Sequence, residues 1–355
     1  MDKNKLKLIR MILVVVVVIL AGILFVGSRL GKVSNSKELK DFSVEMGDNY
    51  MSLASKLKKS NLINSELFYK IYVKLNDPGV LKAGTYQLTE NMGVKKIVET
   101  LSETEPIKDY ISVVTFIEGK NMRYVGETIS KNTDNTIDQV FDLMKDETYL
   151  DELISEYWFI DESIKNTDIF YPLEGYLFMD TYEFYKKATV KEIFKVMLDK
   201  MDIELSKFKN EINKSKYSVH ELLTLASIVE LESITNQDRA IVAGIFYNRL
   251  NSKWALGSDV TTYYALKKDN WNGLSASELA ECNSYNTRSS CLIGLPVGPI
   301  SNPSLSSITA TMRPEANDYY YFVADCDSKN YFNKTEYEHN QTIVNLRKEN
   351  KWCED

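Results

Sequence analysis

Two carboxylates, Glu230 and Glu232, close a stretch that is otherwise almost wholly apolar. The stretch reads VHELLTLASIVELES from Val219 to Ser233, and Ser218-Val219-His220-Glu221 has the S-x-x-E form of a capping box. Leu222, Leu223, Leu225, Ala226, Ile228, Val229 and Leu231 lie almost all round the helix that such a start predicts, so the helix is expected to be buried. Charged groups are rarely buried unless they are paired or have a function. Residues three, four and seven positions back share a helix face. For Glu232 these are Val229, Ile228 and Leu225, all large and apolar; for Glu230 they are Ser227, Ala226 and Leu223. Glu232 is therefore the better candidate for a desolvated carboxyl. Desolvation disfavours the charged form, and the negative end of the helix dipole acts in the same direction. A carboxyl that keeps its proton toward neutral pH is what a general acid requires. The competing reading is a structural Glu paired with Arg239 or Arg249.

Several elements must position that helix. Met11 to Leu30 is an apolar run without acidic residues, long enough to cross a bilayer as a helix. Lys3, Lys5, Lys7 and Arg10 precede it, so residues 1–10 are expected to stay cytoplasmic and the remainder to lie outside. A cleaved signal peptide is the alternative, but no A-x-A site follows Val26. A polar linker over 31–41 leads to a small α+β unit over 42–104: a strand at Val44–Tyr50, helices at Met51–Ser60 and Ser65–Leu75, a strand at Leu81–Leu88 and a short helix from Val94. A second domain over 108–352 opens with a strand at Tyr110–Phe116. It makes a helical excursion, expected to be peripheral, over about 122–165. It then returns through Leu173–Phe184 to a long helix at Val190–Ile212. The fold class expected is α+β, with a mixed α/β second domain.

The net charge of −7 argues against a general affinity for nucleic acid. With only His220 and His339, and no C-x-x-C spacing, neither a metal nor another cofactor is expected. A Ser-His-Asp hydrolase lacks its nucleophile elbow. Cys282 and Cys291 are the best candidate disulfide pair of the four cysteines, with four free thiols as the alternative.

Ala226–Ser233 (ASIVELES), Arg239 and Gly244–Leu250 (GIFYNRL) together resemble the signature helix pair of the endolytic murein transglycosylase (YceG-like) family. In order follow Leu256–Tyr263 (LGSDVTTY), Tyr285-Asn286-Thr287, Gly294–Ile300 with Asn302-Pro303, Tyr319–Asp325, Phe332 and His339-Asn340. Lys82–Tyr86, Glu174-Gly175 and Asp180–Tyr182 match upstream, so the resemblance spans nearly the whole chain. Departures are Gly257 before Ser258, Val260, Val297, Arg288 after Y-N-T, Met179 and Asn330.

The resemblance implies a membrane-held enzyme that cuts peptidoglycan glycan strands and leaves 1,6-anhydro-muramoyl ends, terminating nascent strands. It implies that the 42–104 unit is a LysM-like glycan-binding module, and that the catalytic Glu is the one before Ser or Thr, here Glu232. Glu230, Ser258, Asp259, Tyr285, Asn286 and Asn340 are the expected substrate-binding residues, with a cap of the following helix as the alternative for Asp259 and a loop anchor as the alternative for Tyr285 and Asn286. Penicillin-binding synthases and elongation proteins are the implied partners. Two other readings stay open: a non-catalytic glycan-binding scaffold, and a hydrolase whose second carboxylate is Asp259, since Glu230 lies about 200° round the helix.

Overall fold

The computed structural model describes residues 3–45, 47–104, 106, 111–233, 235–270 and 272–352. Position 108, Tyr110 and Cys353, which enter the expectations above, lie outside the described residues. The chain divides into two compact units, Met1–Ile111 and Ser112–Asp355.

In the first unit, α1 (Lys3–Leu30) is exposed along its apolar length, and its Leu13–Leu30 stretch is long and apolar enough to cross a membrane. Its end is fastened. Asn64 Nδ2 donates to the Ser28 carbonyl of the last turn at 3.1 Å, a group a helix end leaves unpaired, and to the Gly31 and Lys32 carbonyls just beyond it at 3.0 and 3.2 Å. The expected linker is also tied down, since the amides of Val33 and Ser34 donate to the Glu90 carbonyl. Next come β1 (Lys40–Val44), α2 (Leu53–Lys59), α3 (Glu66–Asn76), β2 (Gly84–Leu88) and α4 (Val94–Glu103). The strands pair antiparallel with Phe42 opposite Tyr86, and both rings enter a core with Leu57, Tyr69 and Ile97. The first strand sits earlier than expected because Asp48 accepts the Glu45 amide at 2.9 Å and Asn49 accepts those of Met51 and Ser52. Such side-chain turns compete with an extended ladder.

The second unit opens with β3 (Ile111–Thr115), α5 (Met122–Asn132), α6 (Ile137–Leu143), α7 (Glu147–Glu156) and one 3-10 turn at Glu162–Lys165. β4 (Thr181–Tyr185), α8 (Val190–Ser206), α9 (Lys209–Lys214), α10 (Val219–Glu232), α11 (Asn236–Asn251), α12 (Asp259–Ala265) and α13 (Ala276–Leu279) follow. The chain ends with α14 (Leu305–Met312), β5 (Tyr321–Ala324), β6 (Asn330–Asn333) and α15 (Glu336–Lys348). β3 pairs with β4, and β5 pairs antiparallel with β6. The whole is mixed α+β. The expectation of an α/β second domain needs correction: among the described residues its strands form only separate pairs, and helices make the body. The stretch over 122–165 is not a peripheral excursion, because Val125, Ile129, Val140, Leu153 and Ile164 line the same core as Phe194 and Leu223.

The all-round apolarity of α10 now has a cause. Leu222, Leu223 and Ala226 face the core of α5–α8, while Leu225, Ile228 and Val229 face a second core with Val242 and Phe246 of α11 and Tyr264 of α12. The helix runs between two cores, and its last turn packs on the second of them through Val229 and Leu231. In α11, a Cβ on Gly244 would stand 2.3 Å from the Glu315 carbonyl oxygen and 2.5 Å from Asn317 Nδ2. The same loop is held by Asn248, whose Nδ2 donates to the Asn317 and Tyr319 carbonyls at 3.0 Å each. Gly244→Ala is therefore expected to cost about 2 kcal/mol or more, a fall in Tm of roughly 5 °C or more by thermal melting. An unchanged Tm would mean that the loop shifts without loss.

Candidate active site

Glu232 is the last residue of α10 and keeps part of its surface open. Ser258 Oγ donates to Glu232 Oε1 at 2.5 Å. Burial among the packed ends of α10, α11 and α12 raises its pKa above the ordinary carboxylate value. The Ser258 hydrogen bond, Arg249 and Arg288 pull the other way, and the negative charge of Asp259 adds to the rise. The outcome is a carboxyl biased toward its protonated form, with one donor and an open side.

The Leu256–Asp259 segment that presents Ser258 is clamped by the Y-N-T motif. Gly257 N–H donates to the Thr287 carbonyl and Ser258 N–H to Thr287 Oγ1, both at 3.1 Å. Thr287 Oγ1 also meets Thr261 Oγ1 at 2.8 Å. Asn286 is buried: it accepts from Thr262 Oγ1 at 2.7 Å and donates to the carbonyls of Glu278, Leu279 and Glu281. Tyr285 is 0% exposed, packed on Phe170 and Tyr264, with its hydroxyl accepting the Phe170 amide. Neither side chain offers a surface to a ligand; both anchor the loop that carries Thr287. In the same loop Cys282 and Cys291 form a disulfide with Cα atoms 5.6 Å apart.

Glu230 faces elsewhere. Its side chain is 8% exposed, pairs with Arg239 Nη2 at 3.2 Å and accepts the Ser304 amide at 3.0 Å as well as the Ser304 hydroxyl. The ion pair weighed for either carboxylate belongs to Glu230, which ties α10 to the start of α14. A cleft of about 480 Å³ lies beside Glu230 and Leu231, lined also by Glu118, Lys120, Arg123 and Tyr263. Asp259, the first residue of α12, is exposed and pairs with Arg288 Nε at 3.1 Å. Arg288 Nη1 donates to the Gly257 carbonyl at 3.1 Å. The residue that departs from the family pattern thus braces the segment holding the acid. Asn340 is exposed on α15; its neighbour His339 stacks on Tyr321 at 5.5 Å. The structure gathers Glu232, Ser258 and Asp259, and leaves Glu230, Tyr285 and Asn286 as supports. His220 is structural, bonded to the Tyr176 hydroxyl and to the Val297 carbonyl at 2.8 Å each.

Three contributors lie outside the expected site residues, although each falls within a matched motif and Arg249 is one of the two arginines considered as a partner for the Glu. Arg249 donates through Nε to the Tyr320 carbonyl at 2.8 Å and through Nη1 to the Leu256 carbonyl, and burial lowers its pKa. Thr287 orders Ser258. Glu174, 1% exposed, joins three segments: it accepts from the Met122 amide and the Tyr264 hydroxyl at 3.0 Å and from Asn302 Nδ2 at 3.1 Å. Burial raises its pKa to about 8.

The chain, whose helical second unit holds one desolvated carboxyl at a helix end, matches the YceG-like family over residues 42–345 and belongs to that family. An endolytic murein transglycosylase of Bacillus subtilis is 34% identical over 309 residues, 86% of this chain and 84% of the relative. One from Streptococcus pneumoniae is 30% identical over 326 residues, 88% of this chain but 59% of that longer protein. The crystal structure of a YceG-like protein from Listeria monocytogenes superposes with a TM-score of 0.62 at 32% identity, covering 86% of this chain and all of that one.

Proposed function

We propose that this protein is a lytic transglycosylase that cuts peptidoglycan glycan strands internally, between N-acetylmuramic acid and N-acetylglucosamine, with Glu232 as its acid. The observation that carries the reading is the desolvated Glu232 carboxyl held by Ser258, with both neighbouring acids engaged elsewhere. Protonated Glu232 delivers its proton to the glycosidic oxygen as the C1–O bond breaks. The resulting carboxylate then takes the proton of the muramoyl C6 hydroxyl as that oxygen bonds to C1. The anhydro ring closes, the acid is restored and no water is consumed. Attack within one sugar needs no second carboxylate and gains from effective molarity.

Asp259 and Asn340, both exposed, are assigned substrate contacts in this reading. The βααβ arrangement of residues 40–88 supports a LysM-like glycan-binding role for the first unit. The apolar α1 supports a membrane anchor, with the basic N-terminus inside and the enzyme acting outside on nascent strands beside the synthases that make them.

The test is mass spectrometry of peptidoglycan after incubation with the full-length protein in detergent. New 1,6-anhydro ends are expected. Reducing ends would mean hydrolysis, and no new ends would sink the activity. Ser258→Ala is expected to lower kcat about tenfold to a hundredfold by freeing the carboxyl. Since the lost donor favours the carboxylate, the alkaline limb of the pH–rate profile should move to higher pH. An unmoved limb would argue that the hydrogen bond is absent in solution.

A further inference from the structure

The end of α11 carries a feature that catalysis does not use. The Lys253 amide donates to the Leu250 carbonyl at 3.2 Å and the Trp254 amide to the Arg249 carbonyl at 2.8 Å, with Lys253 at φ +55°. This is the paired closure of a Schellman turn, made with a lysine in the left-handed position usually taken by glycine. It turns the chain back so that the Trp254 ring lies 5.0 Å from Tyr320 and 6.0 Å from Tyr321. Trp254 is nonetheless 44% exposed, and its indole N–H makes no hydrogen bond among the described residues. Trp158, also partly exposed, differs: Lys209 Nζ covers its ring at 4.5 Å and Asp202 accepts its N–H at 2.5 Å. At the edge of the Trp254 patch Ser252 Oγ and the Tyr320 hydroxyl meet at 3.0 Å.

The patch is continuous with the acid through one side chain. Arg249 gives its backbone carbonyl to Trp254 and its Nε–H to the Tyr320 carbonyl. The same guanidinium donates to the Leu256 carbonyl, on the segment that presents Ser258 to Glu232. A sugar ring has an apolar C–H face and a rim of hydroxyls. An open indole face braced by tyrosines, with hydroxyls at its edge, complements both.

We propose that Trp254, supported by Tyr320 and Tyr321, is a sugar-stacking subsite that holds the glycan strand to one side of Glu232. The proposal rests on the activity assigned above and adds where the strand lies.

The probe is a hexasaccharide of N-acetylglucosamine, titrated calorimetrically into full-length Glu232→Gln protein in detergent. Adding Trp254→Ala is expected to weaken binding about five- to tenfold, while Trp254→Phe stays within about twofold. With Glu232 intact, Trp254→Ala should raise KM on glycan strands by the same factor and leave kcat nearly unchanged. Oxidative footprinting of the unmutated protein needs no variant to fold: the hexasaccharide should protect Trp254 and not Trp158. Absence of binding, equal affinity in the Ala variant, or no selective protection would overturn the subsite. Protection of Trp254 in a protein that forms no anhydro ends would sustain the subsite and remove the activity.

Discussion

Replacing Glu232 by Gln is expected to lower the rate of anhydro-end formation at least about 10³-fold while leaving Tm nearly unchanged. A single positioned proton donor is typically worth 10²- to 10⁴-fold, and here one group serves both proton transfers. The amide keeps the shape of the carboxyl and can still accept from Ser258 Oγ, so the geometry at the end of α10 should survive. It cannot protonate the leaving oxygen. Among the described residues the two acids beside it are already paired, Glu230 with Arg239 and Ser304 and Asp259 with Arg288. In the unmutated protein kcat/KM should fall on the alkaline side as Glu232 loses its proton, at a pH above the ordinary carboxylate range because burial raises its pKa. Mass spectrometry of digested peptidoglycan reads both effects. More than about a tenth of the activity remaining in the Gln variant would mean that another group donates the proton.

The choice between Glu230 and Glu232 was legible because it depended on one helix. Val229, Ile228 and Leu225 lie on the Glu232 face, and all three enter the core shared by α10, α11 and α12. Whether Glu230 or Glu232 took Arg239 was not legible, because that depends on how α11 folds back after Glu232. Ser258, Thr287 and Arg288 meet across loops whose path no local periodicity records, and nothing local decides between cleft lining and loop anchor for Tyr285 and Asn286, which are buried as the loop's roots. The path of Leu173–Phe184 was hidden for a similar reason. The segment is aromatic and apolar and enters the core, but Gly175 turns at φ +82° against Pro299, and only Thr181–Tyr185 extends. A buried turn and a buried strand have the same composition.

Glu174 was visible only as part of a matching motif, yet it is expected to dominate the pH dependence of stability. Its carboxyl is enclosed and raised to about 8 by burial, against an ordinary value of 4.5. Between those values the folded chain holds a proton that the unfolded chain has released. Stability is therefore fully supported by this group below about pH 4.5 and is lost as pH rises through about 8. A shift of this size corresponds to a few kcal/mol, at about 1.4 kcal/mol per unit. Glu174→Gln removes the titration and keeps an oxygen for the Met122 amide and the Tyr264 hydroxyl, but its NH2 then faces Asn302 Nδ2, donor against donor. Its urea stability should lie about 1 kcal/mol below that of the unmutated protein at pH 5, and should decline less toward pH 8.5. Glu174→Leu leaves the Met122 amide, the Tyr264 hydroxyl and Asn302 Nδ2 without their acceptor, and should cost about 3 kcal/mol or more at every pH. Those donors belong to the start of α5, to α12 and to the loop after Ile300, which together surround the end of α10. Loosening them should lower catalysis as well as stability, with kcat falling more than KM rises, because Ser258 lies at the start of α12 and its aim at Glu232 depends on where that helix sits. Parallel pH slopes for the unmutated and Gln proteins would mean that Glu174 is already ionised in the folded state, with its charge balanced by Arg123.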